Sequence, residues 1–468
     1  MFDGNIFYPR HWTLAYSDAT LLEGAIGAPF IWAGVDPLFV ANALTLVAFP
    51  LCGLSFFCAG WRLTGNPRAA LVTGVMGAWY PFHAEHYSHL ELQWFMFVPI
   101  AFVACISTIL DPTWRRGLLL GSLLALQCLA SLYLGLMLVT VLVPFAATAL
   151  VRYRMVSLRR LASALGGAAI VLLPVVALLF VPYRQARAAH GERSLDEVIV
   201  GSAAVGDYLK TSRRLPAYSW HSREFNRPER VLYPGTTTLS LAAIGGLVLP
   251  AKPVLPLLVA GTAALDWSLG VNGLTYRFLL ALSPYRSIRV PARFAVLVGT
   301  TLILLAGYGS ARTVSSGSRG RQLAMTIFLV ATVMLDLRMK SDLIGYYPTI
   351  PSIYDHVTPT MVLAEFPTGR EIDYMYFSTK HWGNLLSGYS GFILIDDALS
   401  ADSRLFPAPE SIDGLRARGA THLTYNCAFE RSVERCRHNL AELAANPQLE
   451  LMATETWQGA SAQLYRFR

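Results

Sequence analysis

The stretch PFHAEHYSHLELQW at 81–94 gathers His83, His86 and His89 with Glu85 and Glu91, and carries no Lys or Arg. Imidazoles and carboxylates in one short connection suit proton transfer. His86 and His89 are three apart, a spacing that puts both on one helical face, and with Glu91 they form a donor set for a divalent cation. His86, His89 and Glu91 are therefore expected to line a cavity as base, hydroxyl binders or metal ligands; the plain alternative is a loop that is polar because it faces water. Asp18, in AYSDATLLEG, precedes an apolar helix. It reads either as an acid at the mouth of a site or as a helix cap. Arg289 and Arg293, in SIRVPARF, stand at the start of another apolar run. They read as a fork-shaped clamp for a phosphate or as headgroup anchors.

The elements that must position these residues are membrane helices. The chain has 468 residues, of which 54 % are hydrophobic and only 15 % charged, and its mean hydropathy is +0.43. A water-soluble domain carries about 25 % charged residues, so this exterior is not built for water. Apolar runs recur at 37–61, 68–82, 94–110, 117–132, 134–151, 161–182, 236–250, 253–269, 290–309 and 322–337, several of them short of the ~20 residues that span a bilayer. The fold class is thus an α-helical polytopic membrane protein with about ten spans. The segment 19–34, with Glu23, Gly24, Gly27 and Pro29, reads as a helix lying at the membrane surface. The net charge of +8 comes from arginines beside the runs, which orient helices; it does not indicate a nucleic-acid partner.

Arg-rich connections at 62–68, 115–116, 152–160, Lys252 and 312–321 alternate with 83–93, 132–134, 183–235 and 270–289. The positive-inside rule then places the second set outside. Long loops such as 183–235 translocate with less regard to charge. From about 338 the composition turns polar and aromatic. MVLAEFP, THLTYN and AQLYRF read as strands, SIDGLRARG and VERCRHNLAELAA as helices. The expected domains are 1–337, transmembrane with the outer loop 183–235, and 338–468, a small extracytoplasmic α/β domain. There Trp382 and Tyr389, beside other aromatics, suit a sugar face or a docking belt. Cys427 and Cys436 lie in this outer region, where a disulfide persists; the other four cysteines sit in apolar runs as small hydrophobes. No Walker loop, Rossmann fingerprint, HExxH or GxSxG occurs, and the sequence shows no repeat of the kind a transporter is built on.

The residues DGNIFYPRHWTLAYSDATLLEG, HLELQW, SIRVPARFAVL and YMYFSTKHWGNLLSGYSGF together resemble an uncharacterised bacterial family of large membrane proteins. That family is similar to the polytopic GT-C glycosyltransferases, the broad group with YfhO-like members. The resemblance implies a GT-C-like fold in the bacterial cytoplasmic (inner) membrane, among membrane lipids. It also implies a polyprenyl-phosphate-linked sugar as donor at the outer face, and a carboxylate of the first outer loop as base or metal ligand. Such a transfer needs a base, cations for the phosphate and walls for the sugar, and from the residues themselves Asp18, His86, His89 and Glu91 are the expected catalytic set. Arg289, Arg293, Trp382 and Tyr389 are the expected substrate binders, and a divalent cation is an open reading. The family's first transmembrane helix has no counterpart ahead of Asp18. The expectation therefore includes an inactive truncated relative, or a non-catalytic scaffold that binds lipid-linked glycans.

Overall fold

The computed structural model describes residues 2–153, 157–219, 228–248, 253–340, 349–391 and 404–468. Two compact units form. One comprises Asp18–Val181 and Gly191–Leu343; the other comprises Met1–Ser17, Pro182–His190 and Ile344–Arg468. The first seventeen residues thus group with the C-terminal region rather than with the helices that follow them, which a boundary at 337/338 does not express.

The helical unit runs α1 (Leu21–Trp32), α2 (Pro37–Thr64), α3 (Pro67–Ala78), α4 (Phe82–Glu85), α5 (Leu90–Gln93), α6 (Phe97–Leu110), α7 (Trp114–Ala130), α8 (Leu132–Tyr153), α9 (Leu158–His190), α10 (Leu195–Gly201), α11 (Thr236–Gly246), α12 (Val254–Ser268), α13 (Tyr276–Leu280), α14 (Ala295–Val314) and α15 (Arg319–Leu337). Local chemistry explains the starts. Asp36 and Asn66 each accept two backbone N–H groups of the first turn and are followed by proline at the first helical position, where the missing N–H costs nothing. Gly65, at φ 67°, ends α2. Among the described residues five helices are long and apolar enough to cross a bilayer: α2, α8, α9, the segment Pro291–Val314 and α15. Other expected spans are shorter than read. At 1.5 Å per residue the 12 residues of α3 cover only about 18 Å, because Tyr80–Pro81 breaks the run that sequence hydropathy joined.

α14 is the axis of this unit. Every residue from Ala295 to Ser310 except Leu302 is buried. Its crossing with α11 depends on two glycines facing each other's backbones. A Cβ on Gly245 would lie 1.8 Å from the Leu305 carbonyl oxygen, and one on Gly309 2.0 Å from that of Leu241. Close backbone approach through small residues is how helices pack where lipid supplies no hydrophobic drive. α9 and α15, by contrast, expose Leu165, Ile170, Leu173, Phe180, Ile327, Phe328 and Leu335, a surface suited to acyl chains.

The second unit contains a five-stranded sheet of order β2-β1-β3-β5-β4, with β1 (Val362–Phe366), β2 (Asn384–Leu385), β3 (His422–Asn426), β4 (Leu449–Trp457) and β5 (Ala460–Phe467). β1 is parallel to β2 and β3, while β5 is antiparallel to β3 and β4. The helices α16 (Glu371–Ser378), α17 (Pro409–Ala417) and α18 (Val433–Ala445) connect the strands. Cys427 and Cys436 are joined in a disulfide with their Cα atoms 5.4 Å apart. The N-terminal segment extends the sheet edge: the Tyr8 amide donates to the Leu385 carbonyl (2.9 Å) and the Leu385 amide to the Asn5 carbonyl (2.8 Å). The Tyr16 ring packs edge-on against His190, centroids 4.3 Å apart.

Candidate functional site

The connection 81–94 is not one helix. α4 and α5 are single turns, with His86 closing the first and His89 preceding the second. The two imidazoles therefore do not share a helical face, and the donor set expected for a cation is dispersed. His86 Nδ1 points at the Phe82 carbonyl oxygen (3.0 Å) and Nε2 at Glu229 Oε2 (2.9 Å). His89 Nδ1 lies 3.1 Å from Glu91 Oε1. Among the described residues no group of three or more His, Cys, Asp or Glu is arranged to hold a metal ion. Other polar groups of the stretch also have protein partners, although the buried His83 Nε2 has none. His83, fully buried, meets Gln93 Oε1 at 2.6 Å and stacks on Phe49 and Phe95. Glu85 accepts from the Ser212 hydroxyl, and Arg214 bonds the Ala84 carbonyl. The segment after α9 thus lies over the connection and answers its charges.

Glu229 is the hinge of the arrangement. Its carboxylate takes Arg293 Nε at 3.1 Å to each oxygen and Nη2 at 2.5 Å, while accepting from His86. Burial raises its pKa, but the Arg293 charge and the His86 hydrogen bond outweigh that, and the carboxyl is held well below the usual range. Arg293 is 8 % exposed and sits in a 3-10 turn, Pro291–Phe294, that leads into α14. Its guanidinium also lies 5.2 Å over the ring of Tyr133, a cation–π pairing. The Tyr133 hydroxyl accepts from the Val290 amide (2.8 Å).

Asp18 reaches the same place from the other side. It does not cap α1, whose N-cap Thr20 makes no side-chain bond. Instead it caps α8. It accepts from the Ser131 hydroxyl (2.6 Å) and from the amides of Leu132 (2.9 Å) and Tyr133 (3.2 Å). Ser131 alone separates α7 from α8, so the expected loop 132–134 shrinks to one residue whose neighbouring amides need an anion. Burial pushes Asp18 up to about 6, against its hydrogen bonds and with help from Glu91. Burial also raises Glu91, yet His89 and then Arg293 bring it below the usual value. Asp18, Glu91, Arg293 and, through Glu229, His86 are thereby one electrostatic group.

Arg289 precedes the 3-10 turn and is half-buried. Its charge acts on Tyr133 and repels Arg193, which pairs with Glu197 at 3.3 Å. Trp382 and Tyr389 belong to the sheet unit and are 59 % and 63 % exposed.

No protein-family description matches this chain, and no curated protein matches it. Among solved structures it is similar to the crystal structure of ArnT from Cupriavidus metallidurans bound to undecaprenyl phosphate. The identity is 13 %, the TM-score 0.50, and the match covers 96 % of this chain and 88 % of that one. ArnT in the apo state matches at 13 % identity and a TM-score of 0.44, over 91 % and 83 % of the two chains. The fold is GT-C-like. The chain is a multi-pass membrane protein of that architecture, with a small C-terminal sheet domain; at this identity the likeness concerns the fold alone.

Four residues of this cluster escape a reading of the sequence: Glu229, Tyr133, Arg193 and Glu23. Glu229 and Arg193 lie in a long loop without periodicity. Tyr133 looks like one more aromatic in an apolar run. Glu23 stands one turn into α1, is 1 % exposed, and neither of its oxygens has a hydrogen-bond partner. Burial, then Asp18 and Glu91, push it up to about 8. A carboxylate in a surface helix was the signal, since an acid inside an apolar segment is a functional suspect by default.

Proposed function

We propose that this protein is a GT-C-like, YfhO-like glycosyltransferase of the bacterial cytoplasmic membrane that uses a polyprenyl-phosphate-linked sugar at the outer face. The observation that carries the reading is the convergence of Asp18, Glu91, Arg293 and Tyr133 at helix starts, a charged group of the kind a lipid-borne phosphate needs. ArnT, of similar fold, was crystallised with undecaprenyl phosphate. In the reaction an acceptor hydroxyl oxygen attacks the anomeric carbon. The bond from that carbon to the phosphate oxygen breaks, polyprenyl phosphate leaves with the electron pair, and the hydroxyl proton passes to a base. Asp18 is the base. A carboxyl near 6 is largely ionised at neutral pH yet still a useful proton acceptor. Arg289 lies near enough to Arg193 for their charges to act on each other, and together they offer positive charge to a phosphate. Arg293 is matched by Glu229, so it orients the site and takes the phosphate only if Glu229 withdraws.

One observation favours a second reading, a membrane protein that binds lipid-linked glycans without transfer: Asp18 already accepts three hydrogen bonds. Two measurements on the purified chain separate the readings. Binding of polyprenyl phosphate is expected to weaken about tenfold or more in Arg289→Gln, as for the loss of one charge-assisted contact. Transfer of sugar from a lipid-linked pool is expected to fall about 10²–10⁴-fold in Asp18→Asn with that binding intact. Binding without transfer selects the second reading. Absence of polyprenyl-phosphate binding, or indifference to Arg289→Gln, ends both.

A further inference from the structure

The end of the helical unit away from Arg293 holds a cavity of about 800 Å³ where α2, α11 and α14 finish. Leu63, Val248 and Ala311 form its apolar wall; Arg312, Ser315 and Ser316 supply its polar side. The walls are tied together rather than loosely apposed. The Tyr308 hydroxyl donates to the Leu63 carbonyl at 3.0 Å and the Asn66 amide to Ser315 Oγ at 3.1 Å.

Two further observations define what fits there. The first is depth. Arg293 and Arg312 are 19 residues apart (312 − 293), on a segment that is helical for nearly all of that length. At 1.5 Å per residue they are separated by about 28 Å, close to the ~30 Å hydrocarbon thickness of a bilayer. If Arg293 marks one headgroup level, Arg312 marks the other. Trp61, half-exposed at the end of α2, is the interfacial aromatic expected at that level. The second is charge. Residues 60–70 and 308–322 contain Arg62, Arg68, Arg312, Arg319 and Arg321 and no Asp or Glu. Arg68 bonds Gln322 at 3.0 Å, and Arg312 is exposed on the last turn of α14.

We propose that this cavity seats one anionic phospholipid of the leaflet opposite the Arg293 site. Its phosphate meets Arg312 and the hydroxyls of Ser315 and Ser316, and its glycerol and upper acyl chain lie on Leu63, Val248 and Ala311. The arginine ring explains attraction to an anionic surface in general. The cavity explains why one lipid is held rather than a diffuse layer. A soluble phosphate compound would leave the apolar wall unused. The site does not depend on any transfer reaction at the other end.

The test uses the full chain in nanodiscs of mixed phosphatidylcholine and phosphatidylglycerol, with lipid retention read by native mass spectrometry. Phosphatidylglycerol is expected to be retained in preference, and added inorganic phosphate is expected not to displace it. Arg312→Gln should cut retention about fivefold, the effect of one arginine near an anionic surface. Arg115→Gln, which removes a basic residue from a different connection, should not. Ala311→Leu fills the wall without changing any charge and should also lower retention. Thermal unfolding in phosphatidylcholine alone separates lost lipid from lost fold; if Arg312→Gln unfolds early, Arg312→Lys, which keeps the charge, is compared with Arg312→Met. Equal retention of the two lipids overturns the proposal. So does displacement by phosphate, an equal loss in Arg115→Gln, or full retention in Ala311→Leu.

Discussion

Arg293 shares its guanidinium between the Glu229 carboxylate and the Tyr133 ring, and Glu229 in turn holds His86. Both ring nitrogens of His86 face oxygen atoms, the Phe82 carbonyl and the Glu229 carboxylate, so the imidazole, the carboxylate and the guanidinium form one buried chain. Removing one member strands the others out of water. Arg293→Met should therefore destabilise the protein by about 3–5 kcal/mol, whereas Arg293→Met with Glu229→Gln should recover much of the loss, because a buried pair replaced together is often near neutral. Chemical unfolding in detergent reads the cycle; equal stability of the single and double variants would deny the coupling. Asp18 gives a pH signature of the opposite kind. Its folded pKa, about 6, is raised above the value of 3.8 by burial. Its contribution to stability is thus fully present below about pH 4 and is lost as pH rises through about 6. Under the proposed reaction, with Asp18 as base, transfer activity should instead rise through that range. Replacing Asp18 with Asn should flatten the limb of the unfolding-midpoint profile between those values.

At the scale of elements, the α11–α14 crossing sets where the 3-10 turn with Arg293 begins, because α14 can sit on the axis of the unit only if its backbone touches that of α11. Gly309→Ala should cost about 1–3 kcal/mol through forced separation of the two helices. Gly166→Ala, with nothing within 4 Å of the added methyl, should be neutral or slightly stabilising by helix propensity. Thermal unfolding of the two variants side by side checks the pair; matching midpoints would remove the glycine seam as a determinant. The α7–α8 hairpin follows the same logic. A Cβ on Gly135 would meet Cys128 Sγ at 2.6 Å, and this tight turn is what aims two α8 amides at Asp18.

At the scale of the molecule, the backbone pairing of residues 5–8 with β2 and the ring contact of Tyr16 with His190 put the N-terminal segment, the end of α9 and the C-terminal sheet on one side of the membrane. The number of crossings between residue 17 and the sheet must then be even. Five helices of spanning length among the described residues do not satisfy this by themselves, so an odd number of shorter helices has to cross as well; α3, α6, α7, α11 and α12 together bring the total to ten. The ten runs read from hydropathy meet the parity. Cysteines introduced at Ser17, Ser88 and Gln458 should all react with an impermeant reagent applied to intact cells lacking the native thiols, and one at Ser157 should not. Labelling of Ser157 with Gln458 shielded would invert the topology and move the site to the cytoplasmic face.

The membrane class, three of the five strands and the polar character of 81–94 were legible because each depends on local quantities. These are the transfer free energy of a window and a period of 2 or 3.6. His86 and His89 were misjudged as one helical face because a three-residue spacing cannot reveal that the chain turns twice within seven residues. Glu229 was invisible, since nothing near it in sequence distinguishes it from any other loop acid; only closure of a loop 143 residues beyond His86 makes it the partner of two basic groups. Asp18 carried a correct signal, an anion at a helix start, but the helix it serves begins 114 residues later. Spans are decided residue by residue against the bilayer, so the chain alone determines them. Which charges meet is decided by how those spans pack, and that requires the tertiary structure.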